Sequence, residues 1–166
     1  MGGKRTRTVE FEEPAVTAAG ALDKTGIAVL REIIAGTVPA APLQATLGYR
    51  LVDVSDGFAR LELVPGEHLV GPANVLPSGI AATLLDAAMS AAVMTTLDAV
   101  TSHTTAVLTA HLTRAIAPRA LKLVGEGWVV HRGSRLVTAE ARLTDDQGRL
   151  LAHGSATCTL SERASG

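Results

Sequence analysis

Pro77-Ser78-Gly79-Ile80-Ala81-Ala82-Thr83-Leu84-Leu85-Asp86-Ala87-Ala88-Met89-Ser90-Ala91-Ala92-Val93-Met94-Thr95-Thr96-Leu97 is the stretch on which the fold turns. It reads as one helix from Ser78 to about Leu97, preceded by a proline. Proline is tolerated at a helix start because the N–H it lacks has no intrahelical partner there. Apolar residues surround this helix on nearly every side, so it must be wrapped rather than laid on a surface. Its polar residues Thr83, Asp86 and Ser90 are spaced by three and four and share one face. The run is long enough to suggest a membrane span, but an aspartate near its middle would cost about 2.5–3.5 kcal/mol in a bilayer. A buried helix in a soluble protein is the expectation, with no membrane partner.

On both sides of the helix the pattern changes to strands. Leu47 to Val54 and Phe58 to Val64 flank Ser55-Asp56-Gly57, a hairpin turn signal. Within the second of these, apolar and polar residues alternate with period two. Glu67 to Pro77 is a loop broken by Gly71-Pro72 and Asn74. Beyond the helix come four strand-like segments: Thr104 to Ile116, Leu121 to His131, Arg135 to Thr144, and Arg149 to Leu160. Pro118, Gly133 and Gly148 mark the turns between them. Hairpin-linked strands pair antiparallel. The order strand, strand, apolar helix, four strands predicts an α+β fold in which a curved antiparallel sheet encloses one long central helix.

Upstream, residues 1–20 mix charges of both signs with Gly, Thr and Pro and read as a loose arm. Leu22 to Ile34 reads as a helix with Ile27, Leu30, Ile33 and Ile34 in a stripe. Asp23 is its expected cap or first-turn acid, and Gly36 its stop. The expected organisation is an N-terminal arm and helix over 1–40, a compact domain over 41–162, and a tail over 163–166.

Composition narrows the function. The chain has 166 residues, 47% of them hydrophobic and 19% charged, which suits a packed core and excludes a disordered charged tail. A net charge of −1 gives no basic face for phosphate neutralisation, so nucleic acid is not an expected partner. The aromatics are few (Phe11, Tyr49, Phe58 and Trp128), which leaves no platform for stacking bases. The lone Cys158 can form neither an intrachain disulfide nor a cysteine zinc site, and a reducing cytoplasm fits it. No two of His68, His103, His111 and His153 stand at ligand spacing in sequence, so no metal site is expected.

The chemistry concentrates on the long helix. Its start, at Ser78-Gly79, presents unpaired backbone N–H groups and the positive end of the helix dipole, which suits a carbonyl developing negative charge. Asp86 is a carboxylate among Ala, Ile, Leu, Met and Val, the surroundings of a base or nucleophile. It lies about 10–11 Å along the axis from Gly79 by helix rise. One chain therefore does not bring the two together, and a partner chain facing the helix would.

Residues 68–86, from His68-Leu69-Val70-Gly71-Pro72-Ala73-Asn74 through Pro77-Ser78-Gly79 to Leu84-Leu85-Asp86, resemble the signature of hotdog-fold acyl-coenzyme A thioesterases. The similarity is to the phenylacetate-degradation and hydroxybenzoyl-type group. Leu47 to Leu51, Leu108 to Ala117, Val130 to Leu136 and Asp146 to Ala152 resemble other parts of the family's pattern, so the likeness runs over about residues 43–161. It implies a hotdog fold and a homodimer with a continuous sheet, often assembled further into a homotetramer. It implies hydrolysis of an acyl-coenzyme A thioester at the dimer interface, with no cofactor beyond the coenzyme A of the substrate itself.

Carried over by position, Asp86 would be the catalytic carboxylate, as general base on water or as nucleophile. Gly79 would supply the N–H that polarises the thioester carbonyl, and Thr105, or Thr104 beside it, matches an assisting hydroxyl. Arg132, Gly133, Ser134 and Arg135 would lie near the coenzyme A phosphates. The chain also departs from the pattern. Pro77 stands where the family has its signature histidine, and Ser78 replaces the first glycine. The family's loop asparagine falls on Gly71, while Asn74 sits at a glycine position and is a candidate for the missing polar group. A second reading follows from Pro77: a non-hydrolytic hotdog protein that binds an acyl thioester or a related apolar ligand.

Overall fold

A computed structural model of the protein describes residues 3–117 and 122–163. The expected turn at Pro118, the first residue of the strand expected at Leu121, and the tail beyond Arg163 lie outside the described residues. Among the described residues, four helices and six strands follow in the order α1 (Pro14–Gly20), α2 (Gly26–Ala35), α3 (Pro42–Leu47), β1 (Tyr49–Ser55), β2 (Phe58–Leu63), α4 (Ser78–Thr95), β3 (Thr101–Leu112), β4 (Leu123–Arg132), β5 (Leu136–Asp145) and β6 (Leu150–Glu162). A single 3₁₀ turn, Glu67–Leu69, lies between β2 and α4.

The strands form one antiparallel sheet in the order β1-β2-β4-β5-β6-β3. Three hairpins build most of it. Gly57 and Gly148 take positive φ (69° and 74°) in two of their turns, where a side chain would be strained. β3 leaves the end of α4 and pairs at the far edge with β6, from Thr101 opposite Glu162 to Leu112 opposite Ala152. Asp98 turns the chain into β3 by accepting bonds from the backbone N–H groups of Val100 (3.2 Å) and Thr101 (2.9 Å).

The sheet wraps α4. Leu84, Leu85, Ala88, Met89, Ala92 and Val93 are completely buried, against Leu61, Leu123, Val137, Leu143 and Cys158 of the strands. By length and composition alone Ser78–Thr95 is apolar enough to cross a membrane, but here it is the core helix. Small residues let the layers approach: a Cβ on Gly127 of β4 would collide with the backbone of Ala88 and Met89. Tyr49, Leu61, Leu69 and Leu76 close the core towards the start of α4.

The N-terminal region is more structured than its composition predicts. Residues 14–20 form α1, with Pro14 in its first turn, where a loose arm is expected. α2 begins at Gly26 rather than Leu22, with Thr25 at its N-cap, because Asp23 takes a left-handed φ of 57° that a helix cannot contain. Gly26 donates its N–H to Leu97 O (3.0 Å), and a Cβ there would strike the Met94 carbonyl, so α2 is docked directly on the end of α4. α3 occupies Pro42–Leu47 and stops at Gly48 (φ 85°), so β1 starts at Tyr49 and not at Leu47.

Candidate functional site

One face of α4 is left uncovered by the sheet. Thr83, Asp86, Ala87, Ser90, Ala91 and Met94 lie on it and form one side of a cleft of about 520 Å³. Tyr49, Leu51 and Leu61 lie in the same cleft, and α1, α2 and α3 form its opposite side. The Thr83, Asp86 and Ser90 face expected from helical spacing is thus a real surface, turned towards an apolar space.

β3 holds two of these polar residues from the side. His103 and Thr105 are two apart on the strand, so both side chains leave the same face. Thr105 Oγ1 donates to Asp86 Oδ1 at 2.9 Å. One turn along α4, Ser90 Oγ lies 2.7 Å from His103 Nε2. The Asp86–Thr105 pairing joins two residues that the family resemblance nominates separately. The Ser90–His103 pairing is absent from the sequence reading, since only the tertiary fold sets His103 beside α4. Thr83 behaves differently: its hydroxyl bonds back to Gly79 O at 2.9 Å, a local helix contact.

The Asp86 charge reaches its neighbours. Burial lowers the pKa of His103 and Asp86 opposes that shift, so the imidazole is neutral at pH 7. Burial raises the Tyr49 hydroxyl, and the Asp86 carboxylate raises it further. The Cys158 thiol is pushed up chiefly by burial, with its hydrogen bond to Thr105 opposing and Asp86 adding, so it stays protonated and unreactive.

The other nominated residues lie elsewhere. Gly79 and Asn74 are exposed at and before the start of α4, and neither lines the cleft. Asn74 takes φ 57° in a small loop closed by its N–H to Gly71 O (2.9 Å) and by Gly71 N–H to Val75 O (2.9 Å). Arg132, Ser134 and Arg135 are exposed at the β4–β5 turn, with Gly133 half-buried among them. That turn sits at the other end of α4. The Leu160 N–H bonds to Arg135 O (2.9 Å), and the Arg132 charge helps hold down the pKa of Asp98, which the hydrogen bond from Thr101 lowers most.

His111 and His153 meet in the fold as a stacked pair. They face each other across β3 and β6 with ring centroids 5.1 Å apart, a pairing that strand register creates and sequence distance hides. Among the described residues, no group of three His, Cys, Asp or Glu side chains is placed to hold a metal ion.

Comparison with known proteins agrees with this architecture. The family model described as "Thioesterase superfamily" matches residues 74–152, which contain α4, β3, β4, β5 and the start of β6. No curated protein sequence matches the chain. Among solved structures, a phenylacetic acid degradation-related protein of Ralstonia eutropha JMP134 superposes with a TM-score of 0.71 at 24% identity, over 78% of this chain and 98% of its own. A thioesterase family protein of Silicibacter pomeroyi gives a TM-score of 0.72 at 21% identity, over 81% and 99% of the two chains. A thioesterase of Haemophilus influenzae gives 0.68 at 14% identity, over 72% and 82%. The sheet-wrapped helix gives this chain the hotdog fold of these proteins, and its residues 74–152 are similar to the thioesterase superfamily.

Proposed function

We propose that the protein hydrolyses an acyl-coenzyme A thioester at a site shared by two chains, with Asp86 as general base or nucleophile. The observation that carries this reading is a carboxylate on the wall of an apolar cleft, with one oxygen already engaged by Thr105. Thr105 fixes the carboxylate rotamer in the way a positioned base requires. In the general-base route, Asp86 takes a proton from water and the water oxygen adds to the thioester carbonyl carbon. The carbonyl oxygen becomes an oxyanion, for which Gly79 N–H is the proposed donor. The tetrahedral centre then collapses, the C–S bond breaks, and the sulfur leaves with the proton that Asp86 held. The products are a carboxylic acid and free coenzyme A.

The distances within one chain favour a composite site. Gly79 and Asp86 are about 10–11 Å apart along α4, and the Arg132–Arg135 turn lies at the far end of a helix about 27 Å long. A substrate using all three groups draws them from two chains. The acyl-coenzyme A substrate itself, the Arg132 and Arg135 contacts to its phosphates, and any role of Asn74 belong to the same proposal.

The test is a thiol-release assay over a panel of acyl-coenzyme A substrates with wild type and Asp86→Asn. The amide preserves shape and cannot act as base or nucleophile, so turnover is expected to fall about 10²–10⁴-fold. Unchanged turnover in a folded variant removes Asp86 from the mechanism. A second reading, ligand binding without hydrolysis, is favoured by Pro77. It sits at the N-cap of α4 with φ −59° and offers no N–H where the family has its histidine. That reading gives thermal stabilisation by the thioester with no release of thiol.

A further inference from the structure

We propose that helices α1–α3 form the selectivity wall of the acyl site, and that the acyl group they accept is uncharged and apolar. The proposal rests on the thioesterase reading and adds the class of substrate to it. All three helices lie outside residues 74–152, the part of the chain that matches the family model. Yet they face Asp86 across the cleft, through Ala18 and Ala21 of the α1 end, Leu30 and Ile33 of α2, and Leu43 and Gln44 of α3.

This wall is fixed in place. The close fit of Gly26 against the Met94 carbonyl pins α2 to α4. Thr17 Oγ1 donates to Pro39 O (3.1 Å), and Arg163 Nη1 donates to Ala21 O (2.8 Å), which ties α1 to the chain after α2 and to the end of β6. A cleft bounded by helices tied down in this way selects for length, because a ligand that overruns it meets a packed element instead of a free loop.

The chemistry of the lining gives the class. Among the described residues, no Lys, Arg or His side chain lines the cleft, and Asp86 is its one charged group. An acyl group ending in a carboxylate would be desolvated there beside a like charge with no cation to pair with it. A hydrocarbon chain instead exchanges water for Ala, Leu, Ile and Val surfaces. Each methylene buried contributes about a fourfold gain in binding. The volume of about 520 Å³ falls within the range of about 300–1,000 Å³ in which small-molecule sites lie.

The test uses full-length protein and saturated acyl-coenzyme A substrates from acetyl to dodecanoyl, with succinyl-coenzyme A as the charged probe. kcat/KM is read by thiol release, and affinity by calorimetric titration on the same panel. With wild type, both are expected to rise about fourfold per methylene and then stop at one length. Succinyl-coenzyme A is expected to lie about 10- to 100-fold below butyryl-coenzyme A. Ala18→Trp fills the cleft and should move the optimum to shorter chains; Leu43→Ala opens it and should move the optimum to longer ones. Val16→Trp, on the same helix but outside the lining, is the control for folding and should leave the profile in place. Profiles that superimpose across folded variants overturn the selectivity wall, as does a succinyl probe handled as well as butyryl. If binding depends on chain length and shifts with the variants while no thiol is released, the wall stands and the hydrolase reading falls. If neither binding nor release occurs, both fall.

Discussion

At the residue scale, two rungs join α4 to β3: Asp86 with Thr105 and Ser90 with His103. The second rung makes a pH-dependent contribution to stability. Burial holds the pKa of His103 in the folded protein below its ordinary value, while the unfolded chain titrates near about 6.5. As pH falls through that value the unfolded state binds a proton that the folded state refuses, so stability is lost from about pH 6.5 down to the lowered folded pKa. His103→Gln keeps a hydrogen-bonding group beside Ser90 and removes the titration. The variant is expected to be less stable than wild type at pH 7.5 and to close that gap at pH 5.5, as read by thermal unfolding at both values. A gap that stays constant with pH would show that His103 titrates alike in both states. Asp86 was legible in the sequence because an acid in an apolar helix is conspicuous. Its partner was nominated only through the resemblance, and nothing in the sequence placed His103 beside Ser90.

At the element scale, α4 was legible because its apolar residues leave it no stable place except inside a sheet. The strands followed from period-two patterning and from glycine turns. α1 and α3 were not legible: each is 6–7 residues long, too short for a periodic stripe, and each is held by docking rather than by intrinsic helicity. The closeness of β4 to α4 was hidden as well, because Gly127 reads in sequence only as a weak strand residue. Its role is a gap that the helix backbone occupies. Gly127→Ala therefore has to force β4 and α4 apart and is expected to destabilise the fold by about 1–3 kcal/mol. Urea unfolding measures this directly. A neutral substitution would mean that the two layers yield without loss of packing. Because Asp86 is two residues before Ala88, the same variant should also weaken hydrolysis.

At the scale of the whole molecule, the two edges of the sheet differ. β1 is packed against α2 and α3. Among the described residues β3 pairs with no strand but β6, and it presents Val107, Leu108 and Leu112 at 56%, 39% and 43% exposure along a twelve-residue edge. A long apolar edge is a template for another strand. Pairing of β3 with its copy would extend the sheet across two chains. Wild type is expected to be dimeric or larger by light scattering at micromolar concentration. Leu108→Lys sets like charges facing each other across such an edge and is expected to give monomers with reduced thiol release. A monomeric wild type would count against the shared site.

The sequence alone determined the class of the fold, because a helix apolar all round and strands with period two leave few ways to bury both. It also determined the polar face of α4, since helical spacing is a local property. Tertiary structure alone decided what that face looks at. Strand register placed His103 and Thr105 against α4, stacked His111 on His153, and set the Arg132–Arg135 turn at the opposite end of the helix from Gly79. The docking of Gly26 on the end of α4 turned an apparent N-terminal arm into the wall of the cleft. These are contacts between residues far apart in the chain. Spacing along the sequence carries no record of them, because they depend on how whole elements pack and not on the preference of any one segment.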